Sequence, residues 1–177
     1  MRLTIGGPPG SGTTTIAGMI AKGFCLEHIY AGMIFREMAK ERGLSLEEFS
    51  LIAERDGCFD NTVDKKLAEG AKENTITEGR MAAFVVEAPD IKIWLDAPLE
   101  TRVSRISDRE GRSVEKIREM TVKRQDSETQ RYESYYGVDI YDLSQYDIVI
   151  NTEKWNQEGV CAIVESAITH LVRATQE

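Results

Sequence analysis

The apolar positions of this chain form short β-prone runs, separated by longer stretches in which apolar residues recur with helical spacing. The β-prone runs lie at residues 2–5, 26–30, 75–78, 90–96 and 146–151. The helical stretches lie at residues 13–22, 33–42, 60–73, 99–134 and 159–173. Strands that alternate with helices in this way predict an α/β fold with a parallel sheet covered by helices on both faces.

Capping residues and a glycine refine the predicted helix boundaries. Ser45 precedes a further helical segment and Glu48 follows three residues later, which is the spacing of a capping box. Gly111 interrupts the long stretch of residues 99–134, and Ser113 is placed to cap the helix that restarts there. The long stretch is therefore predicted to break at this glycine.

Length and charge limit the classes of protein that fit. A chain of 177 residues favours one domain with a core large enough to need no metal or disulfide. The 30 acidic residues against 22 basic ones give a net charge of −8, which argues against a general nucleic-acid or anionic-membrane surface. We therefore expect small-molecule substrates and no nucleic-acid or membrane partner. The oligomeric state is not determined by these features, and a monomer is the expectation.

Cysteine usage and the first residues predict a cytoplasmic location. Cys25, Cys58 and Cys161 are scattered and form no disulfide or zinc pattern. Residues 1–7 reach glycine too early for a secretory signal, and no apolar run approaches the length of a membrane span.

The strongest local motif is a glycine-rich segment that runs from Gly7 to Thr14, between the first strand and the first helix. In this context glycines let backbone amides point at phosphate oxygens, and the helix start adds a positive partial charge. Thr14 occupies the position of the hydroxyl that binds Mg²⁺ in phosphate loops. Thr13, however, stands where the motif has lysine. A plain turn and a nucleotide-binding protein without turnover therefore remain alternatives.

A run of arginines could supply the missing charge. Between residues 102 and 131 the arginines are Arg102, Arg105, Arg109, Arg112, Arg118, Arg124 and Arg131. Arg102, Arg105 and Arg109 share one helix face, as do Arg124 and Arg131. Guanidinium groups suit phosphoryl oxygens, so we predict a mobile basic lid over the loop. The alternative is a solvated helix face held by pairs with neighbouring glutamates.

Taken together, these motifs resemble those of archaeal-type cytidylate kinases. The segments that carry the resemblance are residues 5–15 (IGGPPGSGTTT), 30–36 (YAGMIFR), 38–43, 45–49, 78–80 (EGR), 90–100 (DIKIWLDAPLE), 139–143, 148–152 and 155–160. They lie in order along nearly the whole chain. The archaeal branch itself carries threonine in the lysine position, so Thr13 departs from the general motif and not from that branch.

The resemblance implies transfer of the γ-phosphoryl group of ATP to CMP and dCMP. It implies a P-loop NTPase fold of the adenylate-kinase type, a three-layer α/β/α arrangement with a five-stranded parallel sheet and a helical lid. The core is expected at about residues 1–30, 75–104 and 145–177, the monophosphate-binding arm at about 31–74, and the lid at about 105–144.

The resemblance also implies roles for residues on the ATP side. The ATP phosphates are expected to bind Gly7, Pro8, Pro9, Gly10, Ser11, Gly12, Thr13, Thr14 and Thr15. Mg²⁺, which accompanies ATP, is expected to bind Thr14 and, through water, Glu78. Glu78 lies at the carboxyl end of a predicted strand, the edge at which open α/β sheets bind ligands.

Arginines and a glycine are implied on the CMP side. Arg36 and Arg80 are expected to bind the CMP phosphate together with Gly79. The expected catalytic arginines are those of the lid, Arg124, Arg131 and Arg109.

Other functions and other roles remain open at this stage. A kinase that acts on UMP or AMP fits the same motifs, and the residues that read the cytosine ring are not identified, with Asp126 or a backbone group as candidates. A regulatory GTPase fits less well, because residues 108–111 match its Asp-x-x-Gly element only within a helical stretch. His28 has no partner pattern that indicates a ligand or triad. The tyrosines of this region are interpreted as hydrophobic support for the lid, with base stacking as the alternative; they are Tyr132, Tyr135, Tyr136 and Tyr141.

Overall fold

The computed structural model describes residues 1–45, 48, 49, 52 and 58–174. Within them, five parallel strands form one sheet in the order β2-β3-β1-β4-β5. The strands are β1 (Arg2–Gly6), β2 (Glu27–Tyr30), β3 (Thr75–Glu78), β4 (Ile91–Asp96) and β5 (Ile148–Asn151). The predicted five-stranded parallel sheet is confirmed.

The described helices connect the strands and extend the fold beyond the sheet edge. They are α1 (Thr13–Gly23), α2 (Ala31–Glu41), α3 (Cys58–Gly70), α4 (Ala82–Val85), α5 (Leu99–Glu110), α6 (Val114–Tyr136) and α7 (Gln157–Ala174), with a short 3₁₀ turn at Leu143–Gln145. The sequence pattern does not predict α4, because four residues are too few to show helical periodicity. Among these described helices, none is both long enough and apolar enough to cross a bilayer.

The predicted helix boundaries at two capping sites are confirmed. Gly111 has a φ of 64° at the end of α5, a left-handed value that glycine adopts at little cost. The Ser113 hydroxyl accepts a hydrogen bond from the Lys116 N–H at 3.4 Å and caps α6. In the capping box, the Ser45 N–H donates to the Glu48 carboxylate at 2.8 Å and the Glu48 N–H donates to Ser45 Oγ at 3.2 Å. Most of the segment that follows lies outside the described residues.

Apolar side chains cover both faces of the sheet. On one face, Leu3 and Ile5 of β1 pack with the buried sides of α1 and α7. On the other face, Trp94 of β4 packs with Ala83 and Tyr146. Successive residues of a strand point to opposite faces, so β4 contributes Ile93 and Leu95 to the first cluster and Trp94 to the second. The three-layer α/β/α arrangement is confirmed.

The carboxyl ends of the strands place several loops along one edge of the sheet. The glycine-rich loop follows β1, α2 follows β2, Gly79 and Arg80 follow β3, and Thr152 follows β5. Because the strands are parallel, these segments share an edge, which is where open α/β sheets bind ligands.

Candidate active site

The glycine-rich loop forms a compact turn between β1 and α1. The Ser11 N–H donates to the Pro8 carbonyl at 3.2 Å. Gly10 and Gly12 have φ values of 84° and 100°, which favour glycine because a Cβ is strained there. The helix α1 begins at Thr13, so the N–H groups of its first turn have no partner within the helix. The loop therefore has the backbone donors and the positive helix end that bind phosphate.

Two glycines allow the loop to approach its neighbours closely. A Cβ on Gly7 would collide with the Leu95 carbonyl oxygen of β4, and a Cβ on Gly10 would lie 2.7 Å from the Arg102 carbonyl oxygen of α5. Both contacts are with backbone, which cannot move aside as a flexible side chain can. The loop conformation therefore depends on glycine at both positions.

Two arginines of α5 hold the loop from outside. Arg102 is 5% exposed, and its Nη1 donates to the Pro9 carbonyl at 3.2 Å. Arg105 donates from Nη1 to the Gly10 carbonyl at 3.4 Å and to Thr152 Oγ1 at 2.9 Å. Both guanidinium groups are thus bonded to loop and strand-end oxygens. In this structure both arginines therefore hold the loop, and the mobile basic lid remains a prediction.

Glu78, at the end of β3, gathers polar groups from two other segments. Its Oε1 accepts hydrogen bonds from the hydroxyls of Thr13 at 2.9 Å and Thr14 at 2.6 Å. Its Oε2 lies 2.9 Å from His28 Nε2 of β2. Glu78 is buried, and these three partners satisfy its carboxylate, as a buried charge requires. The hydroxyl in the lysine position is therefore bound to this carboxylate.

The side chains at this point fit a magnesium ion. Mg²⁺ takes oxygen ligands, keeps several waters, and is often held by one or two protein groups together with substrate phosphates. The Thr14 hydroxyl and the Glu78 carboxylate provide such oxygens beside the phosphate loop. Among the residues that the structure describes, no group of three or more His, Cys, Asp or Glu forms a metal cage. The protein thus offers a few oxygen ligands rather than a closed site.

A second charged cluster lies where β3 ends. Arg80 forms an ion pair with Glu128 of α6, and the two side chains are only 12% and 9% exposed. The same carboxylate accepts from Arg124 Nε at 2.9 Å. Burial, and next the charge of Arg124, lower the pKa of Arg80 to about 10, with Tyr132 opposing and Arg131 adding to the shift. Arg80 therefore stays protonated at neutral pH, in a cluster that also includes Arg124 and Arg131.

Arg36 and Gly79 border the same edge. Arg36 is exposed, donates from Nη2 to Tyr30 Oη at 2.6 Å, and lies over the Tyr30 ring at 5.4 Å from its centroid. Tyr30 pairs in register with Glu78, which places Arg36 beside the end of β3. A Cβ on Gly79 would lie 3.2 Å from Leu67 Cδ1, so the small residue lets α3 approach this corner.

A cavity of about 800 Å³ opens beside the phosphate loop. It is lined by residues 10–16, by α5, and by the segment after β5, which contributes Trp155. Arg109 is one of the residues that line the cavity. Its side chain is 70% exposed, and its Nη2 lies 3.2 Å from Glu110 Oε1. Pockets of this size accommodate ligands as large as a nucleotide.

The structure thus brings the predicted site residues into two groups. The loop, Thr14 and Glu78 form one group, and Arg80, Arg124 and Arg131 form the other. Arg36 and Arg109 lie at the borders, each with an exposed side chain.

Sequence reasoning missed the positioning roles of Arg102, His28 and Glu128. The shared helix face of Arg102 and Arg105 was a usable signal, because a face that meets the loop presents both side chains to it. No local signal indicates the contact of His28 with Glu78 or of Arg80 with Glu128, since these partners are 50 and 48 residues apart in the chain. The pair of Arg124 with Glu128 is local, and it matches the alternative of arginines paired with neighbouring glutamates.

A parallel five-stranded sheet, with a phosphate-binding loop after its central strand and arginine-bearing helices at the same edge, defines a kinase of the P-loop fold. Solved structures share this fold. An uncharacterized protein from Eubacterium ventriosum has a TM-score of 0.71 at 18% identity, covering 94% of this chain and 97% of that one. Shikimate kinase from Bacteroides thetaiotaomicron has a TM-score of 0.61 at 16% identity, covering 96% and 98%.

The chain belongs to the cytidylate kinase-like family, whose profile matches residues 2–154. It is 51% identical over 170 residues to the cytidylate kinase of Pyrococcus horikoshii, covering 96% of this chain and 88% of that relative. It is 49% identical over 176 residues to the cytidylate kinase of Methanocaldococcus jannaschii, covering 97% and 99%.

Proposed function

We propose that this protein transfers the γ-phosphoryl group of ATP to CMP and dCMP. The observation that carries the proposal is the presence, at one sheet edge, of a phosphate-binding loop and a separate cluster of arginines after β3. A phosphotransferase needs two anion sites side by side, whereas a simple nucleotide-binding module needs one. Similarity to relatives named cytidylate kinase supports CMP as the acceptor.

On the donor side, the backbone of residues 7–15 would hold the ATP phosphates, and the adenosine would extend into the adjoining cavity past Arg109. The positions of Arg102 and Arg105 support this role, because their bonds to loop carbonyls keep the loop in shape before ATP arrives. A binding site that is preorganised in this way loses less entropy when the ligand binds.

Thr14, and Glu78 through water, would hold the Mg²⁺ that accompanies ATP. When bound, the ion would neutralise charge on the phosphate oxygens. Thr13 and His28 keep the Glu78 carboxylate in place by hydrogen bonds to its two oxygens. The Thr13 hydroxyl therefore donates to the Glu78 carboxylate, whereas other phosphate loops have at this position a lysine that contacts the phosphates.

On the acceptor side, Arg36, Arg80 and Gly79 would bind the CMP phosphate. Guanidinium groups suit this task because they present several donors in a fixed plane. Arg124 and Arg131 would approach the transferred group from α6. Arg80 has more donors than its ion pair with Glu128 uses, so it can contact the phosphate from the same position.

The reaction needs neither a covalent intermediate nor a general base, because a CMP phosphate oxygen is already anionic at neutral pH. This oxygen forms a bond to the γ-phosphorus, and the bond from the γ-phosphorus to the bridging oxygen breaks, leaving ADP. The protein aligns the two nucleotides, neutralises their charge and excludes water.

We also propose that the protein works as a monomer in the cytoplasm and binds no nucleic acid. The net charge of −8 supports the absence of a nucleic-acid partner, because it disfavours a polyanion. The local arginine cluster suits a small anion.

The decisive experiment measures ADP release from Mg·ATP with CMP, dCMP, UMP, AMP or GMP as acceptor. We expect CMP and dCMP to support ADP formation, and removal of Mg²⁺ with EDTA to abolish it. A preference for UMP or AMP would reassign the acceptor. No ADP with any acceptor, despite ATP binding, would show a nucleotide-binding protein without turnover.

A further inference from the structure

A carboxylate buried between α3 and α6 has no part in the mechanism above. Asp64 is 7% exposed, and its Oδ2 accepts a hydrogen bond from Tyr136 Oη at 2.9 Å. Asp64 lies three residues before Leu67, the residue that packs against Gly79. Residues at this spacing share a helix face. Asp64 is therefore on the side of α3 that faces the proposed acceptor site.

The facing side of α6 links this carboxylate to the arginine cluster. Glu128, Tyr132 and Tyr136 follow at four-residue intervals and lie along one helix face. Glu128 meets Arg80 at one end of this face, and Tyr136 meets Asp64 at the other. Eight residues of α-helix span about 12 Å. A nucleoside monophosphate has a similar extent from its phosphate to the far edge of a pyrimidine ring.

We propose that Asp64 reads the acceptor base by accepting a hydrogen bond from the 4-amino group of cytosine. The proposal rests on the proposed function, because it takes the arginine cluster as the phosphate end of the acceptor. An ionised carboxylate only accepts hydrogen bonds. Cytosine presents N–H donors at position 4, whereas uracil presents a carbonyl oxygen, which would leave two buried acceptors facing each other.

Tyr136 would position the carboxylate without blocking it. The two oxygens of a carboxylate together offer about four acceptor positions, and the Tyr136 hydroxyl bonds to one oxygen, Oδ2. The contact also joins α3 to α6, so that the base would be read where the arm and lid segments meet.

The exposed carboxylate of Asp126 on α6 provides a matched control. Asp126 is two residues before Glu128, which is about 200° around the helix, and its side chain is exposed. The change from Asp to Asn has the same chemistry at both positions. Comparing the two variants therefore shows whether Asp64 or Asp126 reads the base. Asp126 is the candidate that the sequence suggested.

The test compares kcat/KM for CMP and UMP in the wild type, Asp64→Asn and Asp126→Asn, with circular dichroism to confirm folding. Asp64→Ser is made alongside, so that a second variant without the carboxylate is available. An amide can both donate and accept, so we expect the preference for CMP over UMP to fall about tenfold or more in Asp64→Asn. The KM for ATP and the preference of Asp126→Asn should stay at wild-type values.

Three results would overturn the proposal. They are an unchanged CMP/UMP ratio in folded Asp64 variants, an equal loss with both acceptors, and a loss of preference in Asp126→Asn alone. A wild-type protein that phosphorylates no nucleotide would instead refute the proposed function, so the two failures are distinguishable.

Discussion

At the scale of single residues, the carboxylate of Glu78 shows how the chain organises its phosphate site without the usual lysine. Thr13 and Thr14 from the loop and His28 from β2 converge on its two oxygens. Thr14 alone of these partners can be assigned by motif. His28 reaches the carboxylate only because β2 and β3 are adjacent strands.

We expect His28→Ala to weaken the affinity of the site for magnesium. Loss of the imidazole frees one oxygen of Glu78, and changes to a partner of a metal-binding group cost roughly 10-fold or more in metal affinity or activity. The Mg²⁺ concentration that gives half-maximal activity should rise, and calorimetry should show weaker binding of Mn·ATP.

His170→Ala is the control for this substitution, since His170 is exposed and its Nδ1 lies 2.7 Å from the Ser166 carbonyl oxygen of its own helix, away from Glu78. It should leave both measurements unchanged. Equal metal dependence in the two variants would remove the positioning role of His28.

At the scale of secondary-structure elements, α5 acts as a brace for the phosphate loop. Its Arg102 and Arg105 bond to loop carbonyls, and its backbone lies close to Gly10. The element itself is predictable, because apolar Val103 and Ile106 recur at helical spacing and Gly111 ends it. The contact with the loop is not predictable, because it depends on how α5 packs on the sheet.

We expect Gly10→Ala to destabilise the protein more than Gly12→Ala. Both glycines have positive φ, which costs a non-glycine residue roughly 1–2 kcal/mol. Only at Gly10 would the new Cβ also approach a backbone oxygen, at 2.7 Å, whereas nothing lies within 4 Å of it at Gly12. Overpacking of this kind typically adds about 1–3 kcal/mol.

Urea unfolding of both variants measures this difference directly. A free energy of unfolding that falls equally in both would show that the loop shifts away from α5 without cost. Glycine at position 10 would then be needed only for its positive φ, and not for the close approach to α5.

At the scale of the whole molecule, the site is assembled from segments that are far apart in the chain. The loop follows β1, the arginine cluster joins the end of β3 to α6, and a hydrogen bond from Tyr136 to Asp64 joins α6 to α3. The division into core, arm and lid remains a prediction. Ligands that bridge these segments should stabilise the molecule as a unit.

We expect Mg·ATP and CMP each to raise the melting temperature. A ligand at 100 times its Kd adds about 2.7 kcal/mol to the free energy of unfolding, which for a chain of this size corresponds to a shift of about 5–10 °C. Differential scanning calorimetry checks this, with GMP as the control acceptor. A shift with GMP equal to that with CMP would contradict a selective acceptor site.

The sequence by itself determined the α/β fold, the phosphate loop, the break at Gly111 and the residue types of the site. These follow from periodicity, turn chemistry and motif spacing, all of which act over a few neighbouring residues. Only the tertiary structure decided that Arg102 braces the loop, that Glu128 pairs with Arg80 and that Asp64 meets Tyr136. Such contacts depend on how separate elements pack, and no short stretch of chain contains both partners.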